Sequence, residues 1–253
     1  MQSSFDITAP GFERWRVLPF EAVQAIPAAI RSAVALPSPA RVLDLGAGTG
    51  RIGKIFAIAG DFYTGVDNSF AMLHQFPAAG DRCHLVQADG GQLPFRDGIF
   101  DLVLLMQVLS TTDWQKILCE ARRVLRPGGA VAVGHTMRPE EGMDARLKRQ
   151  LTATLEEMQV DWHEPKKSRK QALALLKNSA ARHVHLEAAT WSVNTSAEEF
   201  LERRRTGARF AALPAQVQEQ ALARLRAWAE DNFGSVKAEF QEARSFELDI
   251  FKF

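Results

Sequence analysis

The sequence predicts an α/β fold with a doubly wound, mostly parallel sheet, and two observations carry that expectation. First, residues 41–60 read as strand, glycine loop and helix: the apolar run Val42, Leu43, Leu45 is broken by Gly46, Gly48 and Gly50. Past the loop, Ile52, Ile55, Phe56 and Ile58 recur at helical spacing until Gly60. Second, four more short apolar runs begin near residues 62, 83, 100 and 130, each separated from the next by helical spacing or turn residues. Strands alternating with helices give a parallel sheet with helices on both faces. A chain of 253 residues with 46% hydrophobic content can bury one such core and still carry extra helices.

Residues 1–40 carry Phe5, Phe12, Trp15 and Phe20 among five prolines, at 10, 19, 27, 37 and 39. Phe20–Leu36 reads as a helix leading into the first strand. The aromatic stretch before it is excluded from the core sheet, and two placements stay open: folded over a ligand, or strapped on the sheet edge.

The loop after the first strand invites a ligand, and its register bears on which one. Gly48, Gly50 and Gly53 fit G-x-G-x-x-G, the dinucleotide fingerprint. In a dinucleotide site, however, the first glycine follows the strand directly and the loop delivers a helix N-terminus to a pyrophosphate. Here the first glycine is Gly46, two residues after the acid Asp44. A carboxylate there repels phosphate and suits a cationic group, such as the ammonium of an amino acid. The run VLDLGAGTG resembles the first motif of class I S-adenosylmethionine (SAM)-dependent methyltransferases.

The second strand, Phe62–Val66, ends at Asp67, with Asn68 and Ser69 as N-cap candidates for a helix through Phe76. An acid at the tip of the second strand, about 20 residues beyond a glycine loop, is the usual acceptor for vicinal ribose hydroxyls. A plain helix cap is the other reading of Asp67. The third strand, Cys83–Gln87, leads to Ala88-Asp89-Gly90-Gly91 and Leu93-Pro94-Phe95. This resembles the family's A-D-x-x-x-L-P-F segment, whose acid contacts the exocyclic amine of adenine, a role that falls on Asp89.

Phe100–Met106 is a fourth strand, apolar enough to be buried on both faces. Thr112 with Gln115 forms a capping box for a helix through Leu125, and Arg126-Pro127-Gly128-Gly129 is expected to end it before a fifth strand, Ala130–Gly134. The run from Glu120 to Gly129, E-x-x-R-V-L-R-P-G-G, resembles a signature of the branch of class I methyltransferases that includes quinone-biosynthesis and many small-molecule methylases. The resemblance covers 41–135 without a gap. It implies a Rossmann-like seven-stranded sheet with SAM as cofactor. It also implies a SAM site built from Asp44, Gly46, Ala47, Gly48, Gly50, Asp67, Asn68, Met72, Asp89, Gly90, Met106 and Gln107. The last two stand at the tip of the fourth strand, where strand order reverses and a crevice opens; for Gln107 a surface amide is the other reading. Amino-base methylases of the family carry N/D-P-P-Y/F at this point. Leu105-Met106-Gln107-Val108 departs from it, so methylation of an adenine or cytosine exocyclic amine is not expected, and no nucleic acid is expected as partner.

Beyond Thr136 the family match loosens. Leu147, Leu151, Leu155 and Met158 share one helix face, Ala172, Leu173, Leu176 and Ala180 another, and Val217, Ala221, Leu225 and Trp228 a third before Gly234. Thr195–Glu198 opens a further helix with a capping box. His183–Val193 alternates as a sixth strand, and Phe246, Leu248, Ile250 and Phe253 as a last one, expected antiparallel because a hairpin-like return needs no crossover. The expected organisation is one domain, 1–253, with an N-terminal strap (1–40), a SAM-binding core (41–135), and a helical cap with C-terminal strands (136–253) that covers the crevice and makes the acceptor pocket.

Net charge is +1, which provides no global field for nucleic acid or membrane. The basic runs at 166–170 and 203–205 adjoin acids on predicted helices and read as solvated faces. Cys83 and Cys119 lack metal spacing and read as buried thiols of a reducing compartment. No apolar run approaches the ~20 residues of a membrane span, and the start MQSSFDITAP lacks a signal pattern. A cytoplasmic protein is expected. The resemblance implies a small-molecule acceptor. Transfer from a sulfonium asks mostly for alignment, with a base only where the acceptor must lose a proton. His135, at the end of the fifth strand, is the candidate base, with Trp162 and His163 second; His74, His84, His183 and His185 read as structural. A nicotinamide-dependent reductase is disfavoured by Asp44. A non-catalytic protein of the same fold and a methylase of macromolecules are the other readings.

Overall fold

The computed structural model of the chain describes residues 18–77, 80–109, 113–162, 168–205 and 207–253. The N-terminal aromatic stretch, Thr112 of the expected capping box, His163, and Lys166 and Lys167 lie outside the described residues. In chain order the elements are α1 (Phe20–Ala33), β1 (Arg41–Leu45), α2 (Lys54–Ile58), β2 (Phe62–Asp67), α3 (Phe70–Leu73), β3 (Cys83–Gln87), β4 (Phe100–Met106) and α4 (Trp114–Val124). They continue with β5 (Leu125–Met137), α5 (Met143–Glu157), α6 (Ser168–Ser179), β6 (Arg182–Thr195), α7 (Ala197–Arg205), α8 (Ala208–Ala211), α9 (Ala215–Phe233) and β7 (Phe240–Lys252).

The strands form one sheet in the order β3-β2-β1-β4-β5-β7-β6. β1 pairs in parallel with β2 and with β4, β2 with β3, and β4 with β5, while the last strands run antiparallel. The order reverses at β1, so the loops after β1 and β4 leave the sheet side by side. This is the doubly wound sheet expected from the alternation of short apolar runs.

The chain divides into two units. The first comprises Leu18–Thr136, Pro165–Ala189 and Phe246–Phe253. Its core stacks Leu43, Leu45, Val103, Leu105, Val131 and Val133 of the parallel strands against Ile117, Leu118 and Ala121 of α4 and Ala172 and Leu176 of α6. Burying each of these valine, leucine and isoleucine side chains contributes about 1.5–3 kcal/mol. α1 is tied to the start of β2: the Arg31 guanidinium pairs with the buried Asp61 carboxylate, whose Oδ1 also accepts from Ala40 N at 2.9 Å. The second unit includes Met137–Glu164 and Thr190–Ser245 and has its own apolar core. There Leu147, Leu151 and Leu155 of α5 meet Phe200 and Leu201 of α7, Phe210 of α8, and Ala221, Leu222 and Leu225 of α9. α9 ends at Gly234 in the left-handed conformation, as the sequence expects.

Several expectations are corrected. α2 spans only Lys54–Ile58, and α3 stops at Leu73. The Arg126–Gly129 segment belongs to β5, which starts at Leu125; Phe100 pairs with Leu125 but Leu102 pairs with Ala130, so the segment bulges opposite Asp101. Arg126 reaches Asp101 at 2.5 Å, and Gly128 N donates to Phe253 O at 2.8 Å, so the bulge is held by a strand and by the C-terminal residue. β7 begins at Phe240, before the apolar alternation. Cys119 is exposed on the outer face of α4, because Ile117, Leu118 and Ala121 occupy its inner face. His84 is exposed because β3 is an edge strand, and His74 is exposed just past α3. Arg203 is no solvated residue: it pairs at 2.5 Å with Asp144, a buried carboxylate also met by Arg138 at 3.1 Å and Arg244 at 3.5 Å. Those three guanidinium groups hold the Asp144 carboxyl below its usual range despite burial. Trp162 is buried edge-on against Phe210 and is a core residue of the second unit. Among the described residues, no helix is long and apolar enough to cross a membrane.

Candidate active site

The first-unit loop at the end of β1 wraps the end of β2, where Val66 O accepts from both Gly46 N (2.8 Å) and Ala47 N (3.0 Å). Gly46, Gly48 and Gly50 have φ of +74°, +55° and +77°, the left-handed region that costs an L side chain about 1–2 kcal/mol. At Gly50 space is lacking as well, since a Cβ would stand 2.2 Å from the Phe76 ring. The β4 tip closes on the same loop, because a Cβ at Gly46 would stand 2.7 Å from the Val108 side chain.

Asp44 lies beneath this loop and is 3% exposed. Its Oδ2 accepts from the Tyr63 hydroxyl at 2.8 Å, while Oδ1 is buried and accepts nothing. Burial is the main cause that pushes this carboxyl up to about 7; the tyrosine hydroxyl opposes it and the Asp67 charge adds to it. Gly53 makes room for the pair, since a Cβ there would stand 2.2 Å from Asp44 Oδ2.

Asp67, at the end of β2, serves the same loop. Its Oδ2 accepts from Gly48 N and its Oδ1 from Ser69 N, both at 2.9 Å. Ser69 in turn caps α3 by accepting from Met72 N at 3.2 Å. Asn68 is exposed and its carbonyl accepts from Gln87 Nε2, whereas the Met72 side chain is buried in the core. Asp89 follows β3, the neighbour of β2. It is exposed, and its Oδ1 accepts from Gly91 N at 2.8 Å, a local turn bond. A Cβ at Gly90 would stand 2.6 Å from Ile117, so α4 packs directly under this turn.

The signature run 120–129 acts on the segment that follows Asp89. Glu120 accepts from Leu93 N at 2.7 Å, and Arg123 pairs with Glu120, reaches Asp97, and donates to Phe95 O at 2.8 Å and Leu93 O at 3.1 Å. Glu120 is held below the usual carboxylate range by Arg123. The pair therefore staples the 93–97 segment onto α4.

At the tip of β4, Met106 is half-buried and Gln107 exposed. Gln107 adopts φ +62°, an uncommon conformation for a side-chain-bearing residue. Its backbone N donates to Gly134 O at 2.8 Å and its Nε2 to Thr136 Oγ1 at 2.9 Å. His135 is buried, and adjacent strand residues point to opposite faces, so its ring lies on the face away from Thr136. Burial first, and then the Arg169 charge, push this imidazole down to about 4. His183 and His185 are satisfied as expected: both meet Asp249 Oδ1, at 2.9 and 3.0 Å, and His183 stacks on Phe251.

The sheet thus lines up the Asp44–Gly50 loop, Asp67, Asp89 and the 106–108 tip along one edge, at the carboxyl ends of β3, β2, β1 and β4. His135 stands one strand further on, on a single face. Tyr63, Phe76, Val108, Glu120 and Arg123 also shape this edge. Of these, Glu120 and Arg123 lie in a run the sequence singles out, and Tyr63 is conspicuous as the only tyrosine.

Comparison with known proteins agrees with this layout. Residues 43–133 match the family model described as "Methyltransferase domain". The chain is 41% identical over 98 residues to a demethylmenaquinone methyltransferase of Tropheryma whipplei, covering 36% of this chain and 40% of the relative. It is 40% identical over 95 residues to a malonyl-[acyl-carrier protein] O-methyltransferase of Pseudescherichia vulneris, covering 37% and 38%. The chain thus spans about two fifths of the length of these curated relatives. Among solved structures, a SAM-dependent methyltransferase from Thiobacillus denitrificans in complex with S-adenosyl-L-homocysteine superposes with a TM-score of 0.55 at 17% identity, covering 100% of this chain and 99% of that one. The YcgJ protein from Bacillus subtilis gives 0.57 at 18%, covering 91% and 99%. At such identities the likeness shows the fold.

Proposed function

We propose that this chain, whose residues 43–133 are a methyltransferase domain, transfers a methyl group from SAM to a small-molecule acceptor. The observation that carries the reading is the buried Asp44 Oδ1, which accepts no hydrogen bond beneath a loop of left-handed glycines. A buried carboxylate with an unmet acceptor is costly, and a ligand ammonium satisfies it. NAD offers no such group, and its pyrophosphate is repelled there.

In this reading Asp67, fixed by Gly48 N and Ser69 N, accepts from two vicinal ribose hydroxyls. Asp89 takes the exocyclic amine of the adenine, on a turn that Gly90 lets pack closely on Ile117 of α4. Gly46, Ala47, Gly48 and Gly50 admit close backbone approach, Asn68 borders the ribose side, and Met106 and Gln107 stand nearest the transfer, whereas the core-buried Met72 supports the segment from beneath. SAM brings a methyl group already activated on a sulfonium. The protein's part is to hold donor and acceptor in line, which is worth several kcal/mol of barrier.

The organisation we propose gives donor binding to residues 41–135 and acceptor recognition to 136–253. A small-molecule acceptor is supported by the similarity to a demethylmenaquinone methyltransferase and by the departure of 105–108 from the amino-base motif. His135 is neutral at neutral pH, and its lowered basicity suits it only to an acceptor that loses its proton easily. Substitution His135→Gln that lowers turnover without altering SAM affinity supports the base role; unchanged turnover removes it.

The test of the whole reading is mass spectrometry of the purified protein for co-purified SAM or S-adenosyl-L-homocysteine, followed by a metabolite screen with methyl-labelled SAM. A labelled small-molecule product is expected. SAM bound without transfer to any acceptor would favour the non-catalytic reading.

A further inference from the structure

Tyr63 sits on β2, level with Val42 of β1 and Cys83 of β3, and is wholly buried. Its ring packs against Phe76 at 5.6 Å between centroids, work that a phenylalanine ring does equally well. The hydroxyl therefore needs its own explanation. Burying a hydroxyl costs free energy unless it is hydrogen-bonded. Here it is bonded to Asp44 Oδ2, and two glycines clear its surroundings: a Cβ would stand 2.3 Å from the hydroxyl at Gly53 and 3.1 Å at Gly65. The bond fixes one carboxylate oxygen, while Oδ1 is buried and takes no hydrogen bond from the described residues. The titratable groups facing Asp44 are Tyr63 and Asp67, both of β2, with Cys83 of β3 facing Tyr63 from behind. On β4 the partner of Asp44 is the apolar Leu104.

We propose that Tyr63 is a positioning residue for the donor: its hydroxyl holds the Asp44 carboxylate so that Oδ1 meets a cationic group of the ligand, and it thereby links ligand binding to release of a proton. The inference rests on the reading of the glycine loop as a SAM site. The linkage follows from the geometry. A buried carboxyl with one donor hydrogen bond and no cation nearby keeps its proton to unusually high pH, and an arriving ammonium favours the ionised form. Below neutrality the proton on Asp44 passes to solvent as the ligand enters; above it, the carboxylate is already ionised and nothing is released. Removing the hydroxyl removes the one bond that favours the ionised form, so the ligand must displace the proton at still higher pH.

The experiment is titration calorimetry of the full chain with S-adenosyl-L-homocysteine between pH 6 and 8, in buffers of different ionisation enthalpy so that released protons are counted. The wild type should lose about tenfold in affinity from pH 8 to pH 6 and release close to one proton at the acid end. Tyr63→Phe should be at least severalfold weaker at pH 7, with the gap narrowing toward pH 8 and its profile moved to higher pH. Asp44→Asn should bind weakly with no proton release. Melting curves of each unliganded variant establish that it is folded. A Tyr63→Phe protein with wild-type affinity and proton count, or one weakened equally at every pH, overturns the inference while leaving the SAM reading intact. A wild type that binds no S-adenosyl-L-homocysteine at any pH overturns the SAM reading, and this inference with it.

Discussion

The backbone N–H of Gly48 donates to Asp67 Oδ2 at 2.9 Å, joining the loop after β1 to the tip of β2. Oδ1 of the same carboxylate takes Ser69 N, so one side chain fixes both the glycine loop and the residue that caps α3.

Asp67→Ala should therefore lose on both counts. Donor affinity should fall by about 1.5–3 kcal/mol, the worth of hydrogen bonds to a charged group, and the unliganded protein should lose about 1–2 kcal/mol with two backbone donors released. Calorimetry with S-adenosyl-L-homocysteine and chemical denaturation read the two separately. Lost stability with unaltered affinity would leave Asp67 as a cap only.

Asp44→Asn should make the unliganded protein more stable at neutral pH. The folded-state ionisation of Asp44 lies at about 7, above that of an unfolded aspartate, so the folded protein holds a proton that the unfolded chain has given up. The stability this supplies is present at acid pH and lost as pH rises toward 7. The asparagine does not titrate, so its gain of roughly 1–3 kcal/mol should appear at pH 7.5 and shrink near pH 4. Melting temperatures at the two pH values check it; an equal difference at both would contradict the ionisation argument.

Arg123→Lys should loosen the segment after Asp89. A point-like ammonium cannot serve Glu120, Asp97 and the two carbonyls that the guanidinium reaches together. The segment should show faster amide hydrogen exchange at 93–99 in the variant than in the wild type, with β1 and β4 unchanged. Unchanged exchange there would show that Glu120 alone anchors the segment.

What the sequence reveals and what it hides divide along the range of the interactions. β3 and β4 are legible to the residue because their apolar runs are bounded by turn residues, and Asp44, Asp67 and Asp89 stand out as acids just where such runs end. The Tyr63 hydroxyl is hidden, since its meaning depends on the β1–β2 register, which sets Tyr63 beside Val42 and within reach of Asp44. The start of β5 is hidden for a similar reason: a Pro-Gly-Gly run reads locally as a helix stop, and Asp101 and Phe253, both distant in sequence, help hold it as a bulged strand. Arg203 misleads because its partner, Asp144, is 59 residues away rather than on its own helix.

The central claim, that the glycine loop over Asp44 takes the amino-acid end of SAM and not a dinucleotide, is tested most directly by calorimetric titration of one preparation at pH 8 with S-adenosyl-L-homocysteine and, separately, with NAD. Saturable one-site binding of S-adenosyl-L-homocysteine and no heat with NAD are expected. Saturable NAD binding with none for S-adenosyl-L-homocysteine would contradict it.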